Sequence, residues 1–80
     1  MLSFPVTMRI ITGALDILDA AHRATPDAPP GPRSLDIAYL ASVETVKKLG
    51  AEFGVKVCVD EDDRRIIIDE IQRARAQRNI

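Results

Sequence analysis

Few side chains in this sequence have the types and spacing that catalysis or metal binding requires. The chain has one histidine, His22, and one cysteine, Cys58. It therefore cannot form an internal disulfide or supply the Cys and His ligands of a usual structural zinc site. A catalytic histidine needs a nucleophile and an orienting acid, and although Asp19 precedes His22 by three residues, no nucleophile motif accompanies the pair. We predict a protein that is not an enzyme and has no catalytic residues, no cofactor, no metal and no small-molecule substrate.

The densest run of carboxylates is at residues 60–63, with the sequence Asp-Glu-Asp-Asp. Such oxygens suit calcium or magnesium, but a calcium loop needs acids at alternate positions and a glycine at the sixth, which this run lacks. The sequence therefore predicts a solvated turn, which could also present an acidic surface to a basic partner.

Basic residues are concentrated only towards the end of the sequence. The possible nucleic-acid contacts are Arg64, Arg65, Arg73, Arg75 and Arg78. The formal net charge is −1 and aromatic residues make up 4% of the chain, so neither a strong field nor a stacking platform supports this use. A nucleic-acid-binding accessory protein is therefore the alternative hypothesis, with weak, salt-sensitive binding.

The most regular pattern lies near the N-terminus and predicts an amphipathic helix over residues 4–24. Its polar stripe consists of Arg9, Thr12, Asp16, Asp19 and Arg23, spaced by three and four residues. The opposite arc of about 180° is apolar. Its candidate interface residues are Met8, Ile10, Ile11, Leu15, Ile17 and Leu18. Because this arc is too wide for one ordinary partner face, we predict burial against a second copy or another protein.

The remainder of the sequence predicts a small sheet. Prolines and a glycine favour an extended loop over residues 25–34. Alternating apolar residues favour strands at 35–40 and 55–59, with a helix between them at 43–53.

The last quarter of the sequence allows two interpretations. Three consecutive isoleucines favour a hairpin strand at 65–69, followed by a short helix at about 70–77 within a basic C-terminal tail or helix at 71–80. Acids first and arginines last would instead suit one helix over residues 62–78. The preferred fold class is α+β: a helix, a loop, then a β-α-β-β antiparallel or mixed sheet with a C-terminal helix, in one domain of residues 1–80.

Length and hydropathy complete the functional prediction. Eighty residues form a thin core, and oligomerisation is a common way to stabilise one. No membrane span or signal peptide is evident, which favours a cytoplasmic protein with no membrane partner. We predict that the protein is a non-catalytic protein-interaction module that forms a homodimer through the first helix. Within that class, we predict a phage- or mobile-element-type protein that binds a host factor.

Overall fold

Three α-helices form the fold of the computed structural model, which describes residues 2–25 and 31–78. Helix α1 spans Phe4–Ala24, α2 spans Pro32–Glu52 and α3 spans Glu61–Arg78. No strand occurs within these described ranges, so the predicted α+β sheet is wrong.

Helix α1 has the bounds that its 3.6-residue pattern predicts. Ser3 precedes it in an extended conformation, and Pro5 lies in the first turn, where a missing backbone N–H costs nothing. The Thr7 backbone N–H and Thr7 Oγ1 both donate to the Ser3 carbonyl at 3.0 Å. At the other end, the Thr25 N–H donates to the Ala21 carbonyl and ends the helix.

Helix α2 occupies the segment predicted as a strand at 35–40, and it contains the predicted helix at 43–53 up to Glu52. The buried residues recur at helical spacing, namely Leu35, Ala38, Tyr39, Ser42 and Val43. Ile37, which an alternating strand would place beside Leu35 and Tyr39, is exposed. The apolar positions fitted both periods over six residues, and only the following turns distinguish them.

The predicted loop over 25–34 ends earlier than expected, because Pro32 begins α2. Gly31 is extended at the N-cap, and proline is favoured in the first turn of a helix. The prolines and other residues at 26–30 lie outside the described residues.

The predicted hairpin at 55–69 is also wrong. Residues 55–60 form neither a helix nor a strand, and α3 then runs through all three isoleucines. The alternative of a single helix over 62–78 is the interpretation that the structure supports. Ile67 and Ile71 are buried four residues apart, as expected for one face of a helix, whereas Ile66 points away from that face and is exposed.

Helices α1 and α2 pack as an antiparallel pair. Gly13 lies against Ser42 near the middle of both helices, and Pro5 at the start of α1 lines the same depression as Phe53 at the end of α2. Helix α3 packs mainly against α1 and has a smaller contact with α2. The core comprises Ile10, Ile11, Ala14, Leu15, Leu18, Leu35, Ala38, Tyr39, Val43, Ile67 and Ile71. None of the helices in the described ranges is both long enough and apolar enough to cross a membrane.

Candidate interaction surface

The predicted interface on α1 divides into buried and exposed residues. Ile10, Ile11, Leu15 and Leu18 are at most 6% exposed because α2 and α3 both pack against α1. Only Met8, at 42%, and Ile17, at 37%, remain exposed. The wide apolar arc is thus largely covered within one chain, and four of the six predicted contacts belong to the core.

A different apolar surface lies in the groove between α1 and α2. It consists of two adjoining depressions of about 210 and 340 Å³, which share Arg9, Val46 and Leu49. We call this surface the α1–α2 groove. Its lining residues are Pro5, Val6, Arg9, Thr12, Gly13, Asp16, Ile17, Ser42, Thr45, Val46, Leu49, Gly50, Phe53, Val55 and Val57.

Large apolar side chains in this groove reach solvent. Phe53 is 80% exposed, and Ile17, Leu49 and Val55 are also exposed. Single exposed apolar residues are ordinary, but a contiguous group in a concave surface is typical of a binding site. In the sequence, Val46, Leu49 and Phe53 are spaced by three and four residues, which indicates one face of a helix. The sequence does not show that Leu49 and Phe53 stay exposed in the described part of the chain.

Two glycines shape the end of the groove. Gly54 has φ of +72°, a left-handed conformation that favours glycine and turns the chain after α2. The Val55 N–H then donates to the Gly50 carbonyl at 2.7 Å. A Cβ on Gly50 would lie 2.8 Å from the Val55 carbonyl oxygen, so the absence of a side chain at residue 50 permits this close approach. Val55 and Val57 are thereby held against the last turn of α2.

The α1 rim of the groove carries opposite charges. Arg9 and Asp16 are both exposed and line the groove. No ion pair or hydrogen bond of either side chain to another described residue is present. The two charges are seven residues apart on one face, a separation of about 10.5 Å along the helix axis.

The arginines predicted to contact nucleic acid do not all lie on one face of α3. Arg64 pairs with Asp36 at 3.1 Å and lies 5.7 Å from the centre of the Tyr39 ring, and Arg73 pairs with Glu70 at 2.9 Å. At about 100° per residue, Arg65 and Arg73 point about 100° and 180° away from Arg64 around α3, whereas Arg75 points within about 20° of it. Arg75 is half-buried, and the side chain of Arg78 lies outside the described part of the chain.

The guanidinium of Arg64 in α3 lies over the ring of Tyr39 in α2. Burial raises the pKa of Tyr39, and the nearby Arg64 guanidinium opposes this effect without reversing it. The phenol therefore stays neutral at physiological pH, and Arg64 and Asp36 connect α3 to α2 at the surface.

The acidic residues 60–63 begin α3 instead of forming a hairpin turn. The Asp63 N–H donates to Asp60 Oδ1 at 2.8 Å, and Asp63 Oδ2 accepts the Asp60 N–H at 3.4 Å, a reciprocal cap. The hydrogen bond from the Asp63 N–H lowers the pKa of Asp60. Asp63 is buried, and its Oδ1 accepts the Leu2 N–H at 3.4 Å. These carboxylates therefore cap a helix.

The remaining candidates for chemistry are isolated from one another. His22 is exposed in the last turn of α1, and Cys58 is exposed in the segment between α2 and α3. Across residues 2–25 and 31–78, no cluster of His, Cys, Asp or Glu could hold a metal ion.

Comparisons with known proteins give no relative: no family model, no curated protein and no solved structure matches this chain.

Proposed function

We propose that this protein is a small, non-catalytic interaction module that associates with a second copy of itself through the α1–α2 groove. The observation that carries the proposal is the contiguous exposed apolar surface formed by Ile17, Leu49, Phe53 and Val55. It replaces the arc predicted from α1 alone, since most of that arc lies in the core of the monomer.

The extent of the groove is consistent with self-association. A specific interface buries about 600–1,000 Å² on each partner, which is roughly a tenth to a sixth of the 5774 Å² accessible surface of this chain. The groove follows α1 from Pro5 to Ile17 and α2 from Ser42 to Gly50, and it continues to Phe53 just after α2. A partner seated along it would remove four large apolar side chains from water. Full burial of such a side chain contributes about 1.5–3 kcal/mol, and Ile17 and Leu49 would contribute less because they are already more than half buried.

The first test compares two leucines of α2. Leu49 is 40% exposed and lines the groove, whereas Leu40 is 56% exposed and does not. At about 100° per residue the two side chains point to opposite sides of the helix. We expect the wild type and Leu40→Lys to have the mass of a dimer in sedimentation equilibrium at micromolar concentrations. Leu49→Lys is expected to have the mass of a monomer, because a buried lysine charge opposes association.

A substitution at Leu49 tests association without disrupting the core, because its side chain is partly exposed in the monomer. Leu18→Asp, by contrast, would place a charge at a core position that is 2% exposed and would unfold the monomer itself. Circular dichroism should show the same helix content for wild type, Leu40→Lys and Leu49→Lys. A wild type that is monomeric and folded at these concentrations would overturn the proposal, as would a Leu49→Lys variant that dimerises as well as Leu40→Lys.

A further inference from the structure

We infer that two copies of α1 cross antiparallel about a two-fold axis near Thr12 and Gly13, so that Arg9 of each copy pairs with Asp16 of the partner subunit. This inference rests on the proposed self-association and specifies its geometry. It starts from the two exposed charges on the groove rim, which have no ion-pair partner among the described residues.

The order of charges along α1 is self-complementary. A two-fold axis makes a surface meet its own copy, so that if residue i contacts residue j, then j contacts i. In an antiparallel crossing centred between Thr12 and Gly13, residue 9 stands opposite residue 16 of the other helix. Arg9 and Asp16 have opposite signs, so this crossing forms two equivalent ion pairs. A parallel alignment in register would instead place like charges together, which is unfavourable.

The residues at the proposed crossing are small. Gly13 has no side chain, but a Cβ there would lie 3.3 Å from Ser42 Oγ, so this glycine faces α2 of the same chain and the partner helix would meet α1 at Thr12. Thr12 is exposed and short. Small residues let two helix backbones approach closely, which brings the flanking Arg9 and Asp16 side chains within reach of the partner's charges.

The same register would bury the exposed Ile17 against the partner subunit. When residue 9 faces residue 16, Ile17 of one copy lies at the level of residue 8 of the other. The larger depression of the groove, of about 340 Å³, is at that level, lined by Pro5, Val6, Leu49, Phe53 and Val55. Each copy would therefore insert an isoleucine into the apolar depression of its partner, and the two pairs of helices would form a four-helix arrangement.

The test is a pair of charge reversals and their mixture. Arg9→Asp and Asp16→Arg each create two like-charge contacts across the axis, and we expect each to weaken self-association by at least about tenfold. An equimolar mixture of the two variants restores opposite charges at both positions. We therefore expect the mixture to form a heterodimer about as tight as the wild-type dimer, identified by native mass spectrometry of isotope-labelled chains.

Matched controls use exposed charges away from the groove. Arg33→Asp and Asp69→Arg cause the same changes in net charge, at positions that do not line the groove. We expect both to dimerise as the wild type does, and their mixture to gain no preference for the heterodimer.

The outcomes distinguish this inference from the proposal on which it rests. A wild type that is monomeric overturns both. A dimeric wild type whose affinity does not respond to either reversal, or whose variants do not prefer each other in the mixture, overturns the register but leaves the groove as the association surface. Because both positions are exposed, the reversals should leave helix content unchanged, and the double variant Arg9→Asp/Asp16→Arg should dimerise with itself.

Discussion

Ile66 and Ile67 are neighbours in the sequence with opposite environments. Ile67 is 1% exposed and packs in the core, whereas Ile66 is 55% exposed. The 100° rotation between successive helical residues is sufficient to turn one side chain into the core and the other into solvent. Residue type alone could not predict this difference, since a strand pairing would also separate the two onto opposite faces.

This contrast gives a prediction about stability. Ile67→Ala should lower the free energy of unfolding by about 2–5 kcal/mol, because it removes buried methyl groups and leaves a cavity. Ile66→Ala should change it by less than about 1 kcal/mol. Urea denaturation followed by circular dichroism measures both. Equal losses for the two variants would show that α3 packs in a different register.

At the scale of the elements, the C-terminal end of α2 depends on a glycine that helix propensity disfavours. Replacing an exposed helical glycine with alanine ordinarily stabilises a protein by about 0.4–1 kcal/mol. At residue 50, however, the Val55 backbone carbonyl occupies the space that the new Cβ would need, and Val57 Cγ2 lies 3.1 Å away. The connection between α2 and α3 is therefore packed against the helix.

We expect Gly50→Ala to lower the free energy of unfolding by about 1–3 kcal/mol, as overpacking does. The Val55 amide, which donates to the Gly50 carbonyl, should also lose protection from hydrogen exchange. Ala51→Gly is the matched variant: it lies next to Gly50 on α2 and is exposed, and it should cost about 1 kcal/mol through propensity. Propensity alone predicts opposite signs for the two substitutions, so a stabilised Gly50→Ala would contradict the close approach.

At the scale of the whole molecule, three helices bury most of the apolar arc of α1 but leave the α1–α2 groove open. Helix α3 lies mainly on α1 and does not extend over this groove. A small domain of this kind has a total stability of only about 5–15 kcal/mol. Covering the groove by association would therefore add a substantial fraction to the stability of the fold.

Association of the folded chain should make its stability depend on concentration. We expect the thermal midpoint of the wild type to rise with protein concentration, because the dimer forms only from folded chains. Leu49→Lys should have a midpoint that does not change with concentration, and Leu40→Lys should behave as the wild type does. Differential scanning calorimetry over a wide concentration range measures this. Identical behaviour of the two leucine variants would argue against the groove as the association surface.

The sequence by itself determined α1, because five polar and many apolar residues repeat at the helical period over 21 residues. It also limited the chemistry, since one histidine and one cysteine leave few catalytic arrangements. It did not determine the other helices: the alternation at 35–40 fitted a strand equally well, and the isoleucines at 66–68 favoured one. The alternation at 55–59 also fitted a strand, but these residues form the connection between α2 and α3. Tertiary structure decided these segments, because a helix along 32–52 and another along 61–78 each place one apolar face on α1, whereas short strands would need partners to pair with. It also decided which apolar residues remain exposed. A pattern in one helix shows how wide its apolar face is, but only the packing of its neighbours shows how much of that face they cover.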